Sequence, residues 1–291
     1  MRGDGQVWTE AHRARHEPRL KGLVATRAVE EIAGWLERAD PPRSGRATPV
    51  RRVVGAIAWH LRGGGAWRSL PPGWPPWRTV YGWFRRWLDL GLFDALLYEV
   101  ARRRRRKAGR RRGPTLAIVD TQAVKCIAIR GPRGGACPPA GRRPDRGDAA
   151  KGVVGRKRVA LVDAEGHWLA VAVVPASVQD RDAREALDAG KARRPTLREG
   201  VYDGAFAAER CRAWSNLHGM RHRVVARDPA ARGFVVLARR WVVERSFGWL
   251  SHWGGLARDR AGRLDVSAAR LAVVGVLAGF EALLNPMPIR T

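Results

Sequence analysis

Apolar residues recur at helical spacing through the first hundred positions. Residues 28–38 carry them three and four apart, which predicts a helix. A Pro/Arg/Gly loop follows at 40–48. In 50–62, Val53, Val54, Ile57, Ala58 and Leu61 fall on one face, and Gly63, Gly64 and Gly65 end the helix. A connection rich in proline and tryptophan runs from Ala66 to Trp77. Two more helices are predicted over 78–89 and 92–107. The pattern therefore describes an all-α region over 28–100. Its third helix bears Thr79, Tyr81, Arg85 and Arg86, an arrangement compatible with a helix-turn-helix-like DNA reader. A plain basic helical bundle fits the same spacing. Trp67, Trp74, Trp77, Trp83 and Trp87 could stack on bases or fill a core, and the core reading is the simpler. Residues 1–27 have no periodicity and are expected to be disordered. Residues 101–113, nearly all arginine and lysine, read as a basic linker or an exposed helix end.

From residue 114 to 291 the period changes. Leu116–Val119 is a buried-strand pattern ending in Asp120. Residues 121–150 read as irregular. Strand patterns at 156–163 and 167–174 flank Ala164-Glu165-Gly166, a hairpin signal. Residues 180–190 read as a capped helix, and Val201-Tyr202-Asp203 as the end of a short strand. A helix is expected over 205–218, a strand over 222–226, and helices over 237–251 and 266–284. The first three strands can form an antiparallel meander, and the later ones add in parallel through helices. The expected fold class is α/β, a mixed-sheet domain over 114–291 whose arrangement resembles the ribonuclease-H-like fold, preceded by a small all-α region.

Composition adds a partner. The 291 residues carry a formal net charge of +28, which favours a polyanion. Scarce lysine beside abundant arginine also fits a coding bias, yet the field attracts nucleic acid either way. Cys126, Cys137 and Cys211 show no paired spacing, so a reducing compartment fits. The first residues carry no apolar signal segment. No membrane span is expected, because the longest apolar run, 271–284, is short and contains Glu281.

Three acids carry the candidate chemistry. Asp120 and Asp203 follow predicted strands, where open α/β sheets bind ligands. Glu244 lies in a helix of aromatic, aliphatic and basic residues, with Arg239, Arg240 and Arg245 around it. Converging carboxylates repel one another, and a divalent cation removes that conflict. Two ions ~4 Å apart would suit in-line phosphoryl displacement. Each acid also has a plainer use: Asp120 and Asp203-Gly204 in turns, Glu244 paired with Arg240 or Arg239. Their joint placement favours metal. Asp163, near the hairpin, reads as a turn residue. His218 and His222 with Cys211 make a weak zinc set lacking a fourth ligand.

The chain resembles bacterial insertion-sequence transposases of the DDE class, in the insertion-sequence-five-like group of the insertion-sequence-four/five superfamily. The resemblance rests on ordered blocks: Ala66-Trp-Arg-Ser-Leu-Pro71, Trp77-Arg-Thr-Val-Tyr81 and Phe84-Arg-Arg-Trp87; Ile118-Val-Asp-Thr-Gln-Ala-Val-Lys125; Lys151-Gly152, Gly155-Arg-Lys-Arg158 and Leu161-Val-Asp-Ala-Glu-Gly166; Tyr202-Asp-Gly-Ala-Phe206; and Arg239 to Trp249. It spans roughly 28–284. It implies a catalytic and metal-binding triad of Asp120, Asp203 and Glu244, with magnesium as cofactor and manganese as a substitute. It implies nicking at terminal inverted repeats and transfer of the 3′-hydroxyl to target DNA. Double-stranded DNA is then the partner, the protein at least a homodimer, and the location cytoplasmic, at the nucleoid. Lys125, Lys151, Arg156, Lys157 and Arg158 would hold phosphates, which makes binding fall with salt. Arg240, Arg245, Arg85 and Arg86 join them as DNA contacts, Arg240 matching the family's Arg-x3-Glu spacing. Leu237, Ser251 and Phe206 depart from the family pattern, at positions that bear on DNA placement. A nuclease of the same fold, a non-catalytic DNA-binding repressor and an RNA-binding protein are the rival readings.

Overall fold

The computed structural model describes residues 26–41, 48–126, 155–183, 188–225 and 239–284. The segment 1–27, expected to be disordered, lies outside them as far as residue 25, and Thr26 and Arg27 instead begin a helix; the segment 121–150, expected to be irregular, lies outside them from residue 127, and 121–125 instead continue a strand. Helices α1 (Thr26–Ala39), α2 (Val50–Gly63), α3 (Trp77–Asp89) and α4 (Leu92–Lys107) come first. Strands β1 (Leu116–Lys125), β2 (Gly155–Val162) and β3 (Trp168–Pro175) follow. Short helical turns at Asp180–Ala183 and Asp188–Ala192 lead to β4 (Glu199–Tyr202), helix α5 (Glu209–Leu217) and β5 (Arg221–Val224). Helix α6 (Arg240–Gly248), a turn at Gly254–Ala257 and helix α7 (Leu264–Leu284) complete the described chain.

The strands form one five-stranded sheet in the order β3-β2-β1-β4-β5 among the described residues. β1 pairs antiparallel with β2, and β2 with β3. β1 pairs parallel with β4, and β4 with β5. This is the mixed sheet expected from the strand order. The hairpin turn works because Gly166 takes φ 83°, a left-handed conformation that glycine adopts cheaply. Asp163 accepts hydrogen bonds from the backbone N–H of Glu165 and His167, both at 2.9 Å, and so closes that turn as a structural residue.

Alternation along the strands sorts side chains to two faces. Ile118, Val201, Ala160 and Val162 face a core shared with α1–α4, α6 and α7. Ala117, Val119, Leu161 and Tyr202 face a second core with Phe206, Cys211 and Trp214. The N-terminal helices are thus continuous with the first core: Phe84, Trp87, Leu97 and Phe280 all belong to it.

Two expectations change. The basic run 101–113 is not a linker as far as Lys107, because α4 continues to that residue. Glu99 pairs with Arg102 and Arg103 one turn on, and Arg105 reaches buried Asp163 at 2.6 Å. The tie to the hairpin is what keeps this basic segment helical and packed. Residues 64–76 join α2 to α3, far longer than the ~3–4 residue turn of a helix-turn-helix. Trp67 and Trp74 of that connection pack on the first core. Helix α7 is long and apolar enough to cross a membrane, which the sequence pattern did not anticipate. Its apolar surface is instead largely buried, 72% in the most apolar window, against protein.

Candidate active site

Asp120 sits in the middle of β1, not at its end, because β1 runs on to Lys125. Ile118 of β1 pairs with Val201 of β4 in parallel register. Asp120 and Asp203 each follow two residues later. Two residues is one strand repeat, so both carboxylates emerge on the face of Ile118 and Val201. The register therefore explains how acids far apart in sequence become neighbours. Asp203 also ends β4 by accepting from the N–H of Ala205 at 2.9 Å, which starts the short helical turn Gly204–Phe206.

Helix α6 lies on that same face. Nine residues are too few for a stable isolated helix, so packing holds it. Val242, Val243 and Phe247 are buried, and each contributes roughly 1.5–3 kcal/mol. Phe247 meets Trp168 of β3 edge-on at 5.7 Å. Phe247→Ala is the single change most apt to free the helix, at a cost of about 3–5 kcal/mol. Ser246 ties it to the hairpin by donating to Gly166 O at 3.2 Å. The chain enters the helix through Arg239 at φ 69°, a left-handed conformation that costs a non-glycine residue about 1–2 kcal/mol.

The packing brings Glu244 and Arg240, one turn apart, over the two aspartates. One Arg240 guanidinium nitrogen lies 3.7 Å from Asp120, 3.7 Å from Asp203 and 3.6 Å from Glu244. Asp120 is the most buried of the three acids, and Glu244 is half exposed. Burial pushes the Asp120 carboxyl up to about 6. The Thr121 N–H, donating at 2.8 Å, and Arg240 oppose that rise; Asp203 and Glu244 add to it.

The donors are carboxylate oxygens, the hard ligands magnesium and manganese prefer. Their convergence on a cation fits a divalent metal in chemistry. As they lie, no three His, Cys, Asp or Glu side chains among the described residues stand close enough to hold one ion. The Arg240 guanidinium fills the centre. A divalent metal shared by the three acids would take the place that this guanidinium occupies.

The predicted DNA contacts separate into groups. Lys125 is exposed at the end of β1. Lys151 lies outside the described residues, as does Leu237. Arg245 is exposed, lies between the rings of Trp241 and Trp249 at 4.5 and 5.2 Å, and donates to Glu165 O. Arg156, Lys157 and Arg158 do not form the expected basic face. They are buried, because β2 is covered on both sides. Arg156 pairs with buried Asp259 at 3.1 Å, Lys157 with Asp180 at 2.6 Å, and Arg158 donates to Leu256 O. Arg86 forms a two-pronged pair with Asp40, and Arg85 pairs with Asp89 and Asp265. These contacts join α3 to the loop after α1 and to α7.

Cys211, His218 and His222 do not form the zinc set. The His222 nitrogens meet Ser215 and Phe206 O, His218 meets Trp214 O, and Cys211 donates to Arg181 O. Two acids escaped the sequence reading. Asp180 accepts from the Thr121 hydroxyl at 2.9 Å, on the face of β1 opposite Asp120, so it is no fourth member of the cluster. Asp259 anchors Arg156. A lone acid between Arg258 and Arg260 was the signal available for it.

Residues 28–97 match the family described as a transposase of the IS4/5 family, and residues 111–278 match the transposase DDE domain family. All three acids and Arg240 lie within the second match. The chain is also 33% identical over 73 residues to an uncharacterized protein, y4sN, of Sinorhizobium fredii. That similarity covers 25% of this chain and 58% of the relative, so the chain spans little more than half the length of that curated relative.

Proposed function

Because the chain belongs to the DDE-domain transposases of the IS4/5 family, we propose that it binds the terminal inverted repeats of an insertion sequence, hydrolyses a phosphodiester there and transfers the freed 3′-hydroxyl to target DNA. The observation that carries this reading is the convergence of Asp120, Asp203 and Glu244 on one cation. Asp120, Asp203 and Glu244 would hold a divalent metal, magnesium or manganese, which would supply activation of the attacking oxygen and stabilisation of the leaving one.

The protein's own groups supply the rest. Arg240, once withdrawn from the acids, remains tethered one turn before Glu244 and carries its positive charge beside the scissile phosphate. Lys125, exposed at the end of the same strand as Asp120, holds a neighbouring phosphate. Arg245 presents a second cation on the outer face of α6. Water attacks first and leaves a 3′-hydroxyl; that hydroxyl then attacks the target phosphodiester. Only the nucleophile changes, so one site serves both steps. Two element ends require two such sites, hence at least a dimer on DNA.

The test supplies repeat-end duplex already cut to expose its 3′-hydroxyl, with plasmid as target, in Mg²⁺. Covalent joining to the plasmid is the expected product. Cutting of uncut ends without any joining would replace this reading by a nuclease of the same fold.

A further inference from the structure

His222, on β5, lies outside the acid cluster, yet its hydrogen bonds lead back to one of the acids. Its Nε2 stands 3.1 Å from Phe206 O, and its Nδ1 stands 2.8 Å from Ser215 Oγ on α5. Ser215 Oγ in turn lies 3.0 Å from the Tyr202 hydroxyl. The direction of these bonds follows from the two ends of the chain. A carbonyl oxygen only accepts, so Nε2 carries the proton. Burial holds His222 below its ordinary value, so at neutral pH the ring is uncharged and Nδ1 is bare. Nδ1 therefore accepts from Ser215, and Ser215, having given its proton, accepts from Tyr202. Burial pushes the Tyr202 phenol up to about 12, which keeps that donor protonated. The His222 ring also stacks on Tyr202 at 4.2 Å, so its plane is fixed as well as its tautomer.

The other end of the chain is the turn that carries Asp203. Phe206 N–H donates back to Asp203 O at 3.1 Å, and Ala205 N–H donates to Asp203 Oδ1 at 2.9 Å. Val225 N–H, just past β5, donates to Tyr202 O at 2.8 Å. The β5 segment thus grips the turn on both sides of Asp203. With Oδ1 taken by Ala205, Oδ2 is the oxygen that faces Arg240, the residue that also meets Asp120 and Glu244. Gly204–Phe206 is a single 3₁₀ turn, whose own hydrogen bonds are poorly aligned. Burial of the Phe206 ring is non-directional. The bond from His222 is what orients the Phe206 peptide. We infer that His222 is a positioning residue for Asp203: by holding the Phe206 carbonyl it fixes the turn, and with it the carboxylate oxygen offered to a metal. The inference rests on the reading above, in which Asp203 is a metal ligand.

The experiment titrates Mn²⁺ into the full chain without DNA and counts the free ion by electron paramagnetic resonance. Asp203→Asn identifies the binding that belongs to the acid cluster. His222→Asn keeps an acceptor for Ser215 but is too short to reach Phe206 O. His222→Phe keeps the stack on Tyr202 and lacks both nitrogens. His222→Gln places an amide N–H near the position of Nε2. Tyr202→Phe removes a buried hydrogen bond and leaves the bond to Phe206 O in place. Mn²⁺ affinity is expected to fall about tenfold in the Asn and Phe variants of His222 and to stay within about threefold of wild type in His222→Gln. Tyr202→Phe is expected to keep wild-type affinity although its urea midpoint falls. Wild-type affinity in His222→Asn or His222→Phe, a loss in His222→Gln as large as theirs, or the same loss in Tyr202→Phe overturns the inference and leaves the metal reading standing. Mn²⁺ binding that Asp203→Asn does not reduce defeats the metal reading, and the inference with it.

Discussion

The guanidinium of Arg240, on α6, stands 3.7 Å from the carboxylate of Asp120, on β1. The same nitrogen is as near to Asp203 and Glu244. The acid cluster therefore contains its own counter-charge, supplied from the helix that also supplies Glu244. Removing that charge leaves three carboxylates facing one another. Arg240→Gln is expected to lower stability by about 1 kcal/mol in EDTA, and Mg²⁺ should stabilise the variant more than wild type. Urea unfolding with and without Mg²⁺ checks this. Equal responses to Mg²⁺ would mean that Arg240 is not the counter-ion.

The basic residues of β2 and β1 should behave in opposite ways. Arg156→Met strands buried Asp259 without its cation and should cost about 3 kcal/mol, while leaving the salt dependence of DNA binding unchanged. Lys125→Gln should leave stability within about 0.5 kcal/mol and reduce the salt slope by about 1. Titrating DNA affinity against salt for both variants separates the two roles.

Asp163 gives the fold an acid-sensitive joint. Burial alone would raise its pKa, but the hydrogen bond and charge of His167 and the hydrogen bond from Arg105 outweigh that and bring it down to about 2. A carboxyl depressed on folding adds stability above its unfolded value of ~3.9, and that stability is lost as pH falls from about 4 to 2. Asp163→Asn should therefore cost about 2 kcal/mol at pH 7 and flatten the acid limb of the stability curve. Denaturant midpoints between pH 2 and 7 measure both effects.

Much of this was legible in the sequence where periodicity is strong. Val53, Val54, Ile57 and Leu61 announced α2, and the alternation around Ala164-Glu165-Gly166 announced the hairpin. The three acids could be singled out because acids are rare in apolar strands and helices. Their convergence depends on the Ile118–Val201 register, which no local pattern contains. The burial of Arg156, Lys157 and Arg158 was hidden for a related reason. Consecutive basic residues on a strand read as an exposed face, and only tertiary partners such as Asp259 and Asp180 show otherwise.

In the proposed function, Glu244 acts with Asp120 and Asp203 in metal-dependent strand cleavage. The most direct test is Mg²⁺-dependent cutting of duplex DNA carrying the element's flanking inverted repeats, by wild type and by Glu244→Gln. Glu244 is half exposed, so the variant should fold and bind the duplex as wild type does. Cutting at the repeat ends that falls at least about a hundredfold in the variant, with duplex affinity retained, is the predicted result. Equal cutting by both proteins would contradict the account and leave Glu244 as the salt-bridge partner of Arg240.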